Sequence, residues 1–366
     1  MPRLFPWHRL AMDPARRRQT LFCLSLLLIF GIGFAMMTDL LYTTGFTLWK
    51  LGVLGLFALL FGPVAYGAGV SIAGYCVLRS ERDAFKITAN LNFPSSGGVL
   101  PSTAIVMPVF NEDEGRVFQA VKVMYEALSK DTQGDAFDFF VLSDSSDLNH
   151  WINEEEAWLD VCKRVKGFGR IFYRKRKVTL NKKSGNVADF CRRWGATYRY
   201  MIVLDADSVM TANSLISLVR LMEQNRNVGI IQTVPQLVMG RSLFSRIQQF
   251  AARVYGPLFS AGSSYWHLGS GSYWGHNAII RVKPFMEHCA LPGLPSTSSL
   301  GGMILSHDTV EAAFMRAAGY GVWLAYDLGG SYEEGPPDLE AALSYCESRP
   351  LTERPACRNA AYAGRF

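Results

Sequence analysis

Acidic and polar side chains follow three short apolar runs of the sequence, at the points where each run ends. These side chains are Asn111 and Glu112 in PVFNE, Asp144 in SDSSD, and Asp205 and Asp207 in LDADS. Carboxylates that converge in one cleft repel one another, and repel phosphate, unless a cation lies between them. Asp205 and Asp207 are therefore candidates for holding a hard metal ion with a diphosphate, since carboxylate oxygens suit such ions. A solvated turn is the alternative for an isolated Asp-x-Asp motif.

The runs that precede these side chains alternate with helical patterns. The predicted strands are 103–109, 137–142, 168–173 and 200–204, and the predicted helices are 114–128 and 186–193. A β-α-β rhythm of this kind predicts an α/β domain with a mostly parallel sheet and helices on its faces. Ligands collect at the carboxyl ends of such strands, so the three polar segments are expected to share one edge.

Two uncharged runs precede this domain. No charged residue occurs in the 20 residues 19–38 or in the 28 residues 51–78, and a membrane-spanning helix needs about 20 apolar residues. We predict two transmembrane helices that form a hairpin. A signal peptide is the alternative for the first run, and a buried soluble hairpin is the alternative for both. The first 18 residues carry five Arg and one Asp, which places both ends of the hairpin in the cytoplasm.

The composition fits a folded membrane protein. The 366 residues are 49% hydrophobic and 19% charged, which excludes disordered and collagen-like chains. The seven cysteines form no metal-binding spacing, so neither a disulfide nor a structural metal is expected. The predicted organisation is a basic cytoplasmic N-terminus at 1–18, two transmembrane helices at 19–78, a linker at 79–102, a catalytic domain at 103–337 and an atypical, disordered tail at 338–366.

Two segments with an excess of Lys and Arg indicate what the protein contacts. Residues 163–183 contain ten Lys and Arg and no Asp or Glu, against a net charge of +6 for the whole chain. A solvated face, or contact with phosphate or lipid, is favoured over nucleic acid, and no nucleic-acid partner is expected. Residues 241–255 place apolar side chains at helical spacing beside arginines, which favours a helix on membrane lipid. Burial in the domain core is the alternative.

The motifs PVFNE, SDSSD, KKSGN (182–186) and LDADS, in this order, resemble those of the family 2 glycosyltransferases of the GT-A fold. The later segments SYWGHNAIIR (272–281), GGMILSHDTVEAAFMRAAGYGVWLAYD (301–327) and GSYEEGPP (330–337) narrow the resemblance. They are similar to the bacterial inner-membrane members that build osmoregulated periplasmic glucans. The resemblance covers roughly residues 20–340.

The resemblance implies roles for four carboxylates. Asp144 would hold the uracil or ribose of UDP-glucose, and Asp205 and Asp207 would coordinate Mg²⁺ or Mn²⁺ on the diphosphate. Asp308 would be the general base of an inverting transfer of glucose to a growing β-glucan. One base suffices for such a transfer, because the metal stabilises the departing UDP.

Further residues are expected to line the substrate site. Asn111 and Glu112 belong to the first motif, and Lys183 is placed to neutralise phosphate, with a solvated surface as the alternative. Trp274 is a candidate platform for the glucan acceptor, because flat aromatic faces suit sugars; core packing is its alternative.

The sequence departs from the family after Pro337. Enzymes of this type carry a Q-x-x-R-W or R-x-x-R-W element beyond the base and then further membrane helices, whereas residues 338–366 show neither. A truncated chain is the expectation. The alternatives are another family 2 polysaccharide synthase, disfavoured by SHD in place of TED, and a catalytically impaired remnant that binds nucleotide sugar.

Overall fold

A computed structural model of the protein describes residues 14–43, 45, 47–80, 83–91, 98–291, 304 and 306–347. The chain divides into two compact units. The first comprises Met1–Lys86 and Pro257–Leu268, and the second comprises Ile87–Gly256 and Gly269–Phe366.

The described residues of the two units form the following α-helices and strands, which alternate through most of the second unit. The helices are α1 (Pro14–Tyr42), α2 (Leu48–Ser80), α3 (Glu114–Leu128), α4 (Leu148–Val165), α5 (Lys182–Trp194), α6 (Ala212–Gln224), α7 (Leu243–His267), α8 (Val282–His288), α9 (His307–Ala317) and α10 (Leu339–Glu347). The strands are β1 (Thr103–Val109), β2 (Phe137–Ser143), β3 (Ile171–Lys175), β4 (Tyr200–Val203), β5 (Val209–Met210), β6 (Val228–Thr233), β7 (Gln236–Val238), β8 (Ala278–Arg281), β9 (Gly321–Ala325) and β10 (Ser331–Glu334).

The first unit contains an antiparallel hairpin of two long apolar helices. The described residues include two helices, α1 and α2, that are long and apolar enough to cross a membrane. Their 29 and 33 residues correspond to about 44 and 50 Å at the α-helical rise, against about 30 Å of bilayer hydrocarbon. The helices approach closely at glycines. A Cβ on Gly69 would lie 2.2 Å from Leu26, and one on Gly33 would lie 2.3 Å from Phe61.

The last part of α7 packs against this hairpin within the first unit. A Cβ on Gly74 would lie 1.8 Å from the carbonyl oxygen of Leu258, and a Cβ on Gly262 would lie 1.9 Å from that of Val70. The backbones of α2 and α7 are therefore in direct contact, and only glycine fits at these two positions. Small residues permit the same close approach between helices in membranes.

A buried polar cluster stabilises one end of the first unit. Arg18 donates to both carboxylate oxygens of Asp83, at 2.8 and 3.2 Å. Its guanidinium carbon lies 3.5 Å from the centre of the Tyr265 ring, within reach of a cation–π interaction. Next to it, Phe22 stacks on Trp266 with ring centres 5.5 Å apart. A buried charge is tolerated when it is paired in this way.

The second unit is built on a seven-stranded sheet. Its strand order is β3-β2-β1-β4-β8-β6-β9. β8 is antiparallel to both of its neighbours, and the other paired strands are parallel. The prediction of a mostly parallel sheet is therefore confirmed.

Helices cover both faces of this sheet, because its strands are apolar on both sides. Along β1, Ile105 and Met107 join one core cluster with residues of α3, α4 and α6. Ala104 and Val106 join the other cluster with residues of α5, α8 and α9. Successive side chains of a strand point to opposite faces, so a continuous apolar run needs two helical layers.

A second, three-stranded sheet has the order β5-β10-β7. β5 follows the LDADS segment directly, and β10 is antiparallel to β5 and parallel to β7. This small sheet connects the segment that follows Asp207 to the SYEE segment.

Helix α5 begins earlier than the sequence predicted. The predicted helix spans 186–193, whereas the observed helix begins at Lys182. Asn181 precedes it in a left-handed conformation with φ 58°, and Ser184 donates to the carbonyl oxygen of Asn181 at 2.8 Å. The observed start places Lys183 in the first turn.

The C-terminal segment differs in part from its expectation. Residues 339–347 of the segment expected to be disordered form helix α10. Its N-terminus is stabilised by Asp338, whose side chain accepts from the backbone N–H of Ala341 at 2.8 Å. Residues 348–366 lie outside the described residues.

We predict that Gly262→Val destabilises the protein, whereas Gly256→Val on the same helix does not. A side chain at Gly262 would collide with backbone, and such overpacking costs about 1–3 kcal/mol. A Cβ at Gly256 has no atom within 4 Å, so this variant controls for helix propensity. Thermal unfolding in detergent should show a melting temperature lower by about 5 °C for Gly262→Val. Equal melting temperatures would contradict the packing.

Candidate functional site

Three neighbouring parallel strands carry the polar segments to one edge of the sheet. The loop after β1 holds Asn111 and Glu112, the loop after β2 holds Asp144, and the loop after β4 holds Asp205. A backbone hydrogen bond joins the loops after β1 and β2 where they begin: the N–H of Asp144 donates to the carbonyl oxygen of Val109 at 3.0 Å. The structure therefore brings together the three segments that the sequence placed at one edge.

Asp144 is buried and forms a two-point ion pair with Arg176. The guanidinium donates from Nε at 2.7 Å and from a terminal nitrogen at 2.5 Å to the two carboxylate oxygens. Arg176 also donates to the carbonyl oxygens of Leu180 and Lys182, at 3.0 and 3.1 Å. Asp144 thereby orders the connection between β3 and α5, and it offers a ligand only its remaining lone pairs.

Asp205 lies between two cationic or potentially cationic groups. Lys183, in the first turn of α5, forms an ion pair with its Oδ1. The Nε2 of His276 lies 3.9 Å from its Oδ2. The Asp205 side chain is about one-third exposed, so the group is open to a ligand. The pairing of Lys183 with Asp205 keeps a positive charge at this edge of the sheet.

The negative charge of the Asp-x-Asp motif affects Glu112 in the loop after β1. The pKa of Glu112 is raised above its ordinary value, first by partial desolvation and then by the negative charges of Asp207 and Asp205; Arg116 opposes the shift. Glu112 therefore lies in the electrostatic field of both aspartates. Three carboxylates at one edge favour a cation there.

Asp308 lies in the first turn of α9 and is almost fully buried. Its Oδ1 accepts from the hydroxyl of Ser306 and from the backbone N–H of Thr309, both at 3.0 Å. Its Oδ2 faces Gly275, where a Cβ would lie 3.4 Å away. The φ of Gly275 is 88°, which favours glycine. The bonds to Oδ1 fix the carboxylate, and Oδ2 is the oxygen turned toward the loop before β8.

The pKa of the buried Tyr273 phenol is affected both by the candidate base Asp308 and by Asp205 of the Asp-x-Asp motif. Burial raises its pKa well above the ordinary value, and the negative charges of Glu311, Asp308 and Asp205 raise it further. The candidate base and the Asp-x-Asp motif therefore both influence the pKa of one tyrosine. Glu311 is itself buried, which raises its pKa, and His307 opposes that shift from 3.2 Å.

Sequence reasoning gave no role to His276 and Gln232. The Nδ1 of His276 lies 3.3 Å from the Oε2 of Glu333 on β10, so Glu333 and Asp205 flank the imidazole. Gln232 is buried on β6 and donates to the carbonyl oxygen of His276 at 2.9 Å. The signal in the sequence was a histidine directly after a glycine, in a loop that enters a strand.

Two predicted residues have local roles in the structure. Trp274 is 37% exposed, and its backbone N–H donates to Gln232 at 2.9 Å, so its ring remains at the surface of this loop. Asn111 is engaged with the second loop: its side-chain oxygen accepts from the N–H of Ser146 at 3.1 Å. Asn111 therefore links two loops of the site to each other.

The oxygen ligands at this edge fit a divalent cation shared with phosphate. Within the described ranges, no three or more His, Cys, Asp and Glu side chains form a complete metal cage. Mg²⁺ is ordinarily bound by one or two carboxylates, with substrate phosphates and water completing its shell. The negative charges of Asp205 and Asp207 raise the pKa of Glu112. A divalent cation at this edge would offset that negative charge.

A family model covers most of this site, up to the loop of His276 and strand β8 but not Asp308. The model of Glycosyl transferase family 2 matches residues 104–289, which is just over half of the 366 residues. The chain therefore belongs to glycosyl transferase family 2. The match spans the first three strand-end loops and the loop of His276.

Curated relatives confirm the narrower resemblance. The glucans biosynthesis glucosyltransferase H of Pseudomonas entomophila (strain L48) is 54% identical over 292 residues, covering 78% of this chain and 34% of that protein. The protein of the same name from Cupriavidus pinatubonensis is 54% identical over 303 residues, covering 83% of this chain and 35% of that protein. The chain thus spans about a third of the length of these relatives.

A solved structure shares the fold. A mannosyltransferase from Pyrobaculum calidifontis, solved in complex with GDP-Man and Mn²⁺, superimposes with a TM-score of 0.50 at 14% sequence identity. The match covers 82% of this chain and 79% of that one. The second unit therefore has the predicted GT-A fold.

We predict that Arg176→Met strongly destabilises the protein. It leaves the buried Asp144 without its partner, which costs about 3–5 kcal/mol. Arg192→Met is the matched control, because Arg192 is 75% exposed in its pair with Asp189 and exposed pairs contribute about 0–1 kcal/mol.

Chemical denaturation measures both variants. Adding Asp144→Asn to Arg176→Met should recover part of the loss, because it removes the buried charge. An unchanged unfolding midpoint in Arg176→Met would contradict the energetic role of the pair.

Proposed function

We propose that this chain is a membrane-bound, inverting glucosyltransferase that transfers glucose from UDP-glucose to a growing β-glucan. The observation that carries the proposal is that two consecutive residues of the loop before β8 meet the two aspartates: Gly275 faces the Oδ2 of Asp308, and the Nε2 of His276 lies 3.9 Å from the Oδ2 of Asp205. A donor site and a base must lie this close for an acceptor hydroxyl to attack a bound sugar. The names of the relatives support glucan synthesis and a glucosyl donor.

The donor diphosphate is assigned to the edge formed by Asp205 and Asp207. These carboxylates would hold Mg²⁺ or Mn²⁺, which supplies charge stabilisation to the departing UDP. Lys183 is placed to neutralise phosphate from the first turn of α5, where the helix N-terminus also favours an anion. Asp144, held by Arg176, belongs to the nucleoside side of this site.

The proton of the acceptor hydroxyl is assigned to Asp308. Hydrogen bonds from Ser306 and Thr309 fix the carboxylate at Oδ1, which leaves Oδ2 to accept the proton. Bonds of this kind hold a base in the orientation that transfer needs. Trp274, at the surface of the loop that faces Asp308, is assigned to the glucan acceptor.

We predict that donor binding and transfer separate between two variants. Asp205→Asn should weaken Mn²⁺-dependent UDP affinity at least about tenfold, because it removes a charged metal ligand. Asp308→Asn should leave that affinity unchanged and abolish transfer from UDP-glucose, because a base acts on the acceptor.

Calorimetry measures the affinity, and radiolabelled UDP-glucose in membranes measures transfer, both in this chain and in a full-length relative. Asp131→Asn, on an exposed loop, is the control. Unchanged Mn²⁺-dependent affinity in Asp205→Asn would refute the metal assignment. UDP binding by this chain without transfer would assign it a nucleotide-sugar-binding role.

The cellular location is proposed from α1, α2 and the first part of α7. Exposed apolar side chains of α7 recur at helical spacing, namely Leu243, Ile247, Phe250 and Val254. Arg246 and Arg253 lie between them. Such a stripe suits a helix lying on anionic lipid. We assign α1 and α2 to the bacterial inner membrane, with the catalytic unit in the cytoplasm, where UDP-sugars are made.

We predict that a cysteine at Lys130 is protected in intact spheroplasts, whereas one at Thr47 is labelled from outside. Lys130 is an exposed residue of the second unit, and Thr47 is exposed between α1 and α2. Cys162 cannot report topology, because its side chain is fully buried. Cys23 and Cys76 are exposed, and they are first replaced by Ser together with Cys346 and Cys357.

A membrane-impermeant maleimide provides the label. Lys130→Cys should react only after the membrane is opened, and Thr47→Cys should react before. Labelling of Lys130→Cys in intact spheroplasts would place the catalytic unit outside.

A further inference from the structure

A buried carboxylate lies behind the candidate site, on a helix that contributes no site residue. Glu154 of α4 is 2% exposed. Its Oε1 accepts from the hydroxyl of Ser145 at 2.6 Å, and its Oε2 accepts from the hydroxyl of Tyr173 at 2.8 Å. Each carboxylate oxygen therefore has its own hydroxyl partner. A buried carboxylate with two directed partners holds those partners strongly.

The hydroxyl of Ser145 also bonds to the loop after β1, so it links Glu154 to that loop. Ser145 lies in the loop after β2, directly after Asp144, and its Oγ accepts from the backbone N–H of Asn111 at 2.9 Å. A serine hydroxyl has one proton and two lone pairs. When the proton points to Glu154, a lone pair is free to receive the N–H of Asn111. The carboxylate therefore sets the direction of the bond between the two loops.

The bond helps to hold Asn111 in a left-handed backbone conformation. Its φ is 51°, in the left-handed region that few residues other than glycine adopt. The side chain adds two bonds to the second loop, accepting from the N–H of Ser146 at 3.1 Å and donating to its hydroxyl at 3.3 Å. Strained conformations persist where surrounding bonds hold them. The conformation of Asn111 in turn aims the adjacent Glu112.

We propose that Glu154 is a positioning residue. Through the hydroxyl of Ser145, it fixes the positions of the loops after β1 and β2 relative to each other. The proposal rests on the proposed function, because these loops carry Asn111, Glu112 and Asp144 of the donor site. Glu154 itself touches no substrate. Its effect reaches the donor through the bond from Asn111 to Ser145, so loss of Glu154 should loosen the loops first and weaken nucleotide binding second.

The variants separate this role from general stability. Glu154→Met keeps the length of the side chain and removes both acceptors, whereas Glu154→Gln keeps an acceptor for Ser145. Ser145→Ala breaks the same connection from the other end with a minimal change of volume. Glu156→Met is the control, because Glu156 is exposed on the same helix.

Two measurements use the full chain in detergent. Amide hydrogen exchange of residues 109–113 without ligand reports the loop directly. Calorimetry with UDP and Mn²⁺ reports the donor site. Glu154→Met and Ser145→Ala should each speed exchange at Asn111 and weaken UDP affinity, both at least about tenfold. Glu154→Gln should stay within about threefold of the unaltered chain in both, and Glu156→Met should equal it.

A double-variant cycle decides whether Glu154 acts through Ser145. If it does, Glu154→Met combined with Ser145→Ala should exchange no faster at Asn111 than Ser145→Ala alone. Additive effects, or unchanged exchange in Glu154→Met, would overturn the proposal. If Glu154→Met does not fold, unchanged exchange in Ser145→Ala overturns it instead. Faster exchange with unchanged UDP affinity would support the positioning role and refute the nucleotide site.

Discussion

The candidate site depends on keeping several carboxylates close together at one edge of a sheet. Parallel strands bring the loops of Asp144 and Asp205 to one edge, on either side of the loop that holds Asn111 and Glu112, and like charges gathered at one edge oppose folding. The structure meets this constraint with specific cationic partners. Arg176 pairs with the buried Asp144 on two bonds, and Lys183 pairs with the partly exposed Asp205. The buried carboxylate thus has a two-point guanidinium partner, while the partly exposed one has a lysine partner.

The reversed strand β8 explains why the site has a second half. A parallel strand carries its following loop to the ligand edge, whereas an antiparallel strand carries its preceding loop there. Ala278, the first residue of β8, pairs with Val203, the last residue of β4. The residues just before β8 therefore lie at this edge, where His276 is 3.9 Å from Asp205 and Gly275 faces Asp308. One change of strand direction brings the loop next to Asp308 to the Asp-x-Asp motif.

Residues behind the site fix the positions of those that face it. Gln232 holds the loop of His276 from β6, and Glu154 holds the two strand-end loops from α4. Buried polar groups of this kind are costly when unpaired and directional when paired. In the first unit, glycines allow the backbones of α2 and α7 to touch, and the pair of Arg18 and Asp83 is buried beside an aromatic ring.

The sequence by itself determined the sheet, its two helical layers, the apolar hairpin and the strand-end carboxylates. Hydrophobic periodicity and run length indicate helices and strands locally, and the order and spacing of the motifs indicated the family. Only the tertiary structure decided which side chains pair, because those contacts join distant segments. Arg176 with Asp144, His276 between Glu333 and Asp205, and the link from Glu154 are such contacts. The start of α5 also escaped the periodicity, since a left-handed Asn181 begins that helix before its apolar face does. Partners far apart in sequence leave no local pattern, so their pairing is fixed only when the sheet folds.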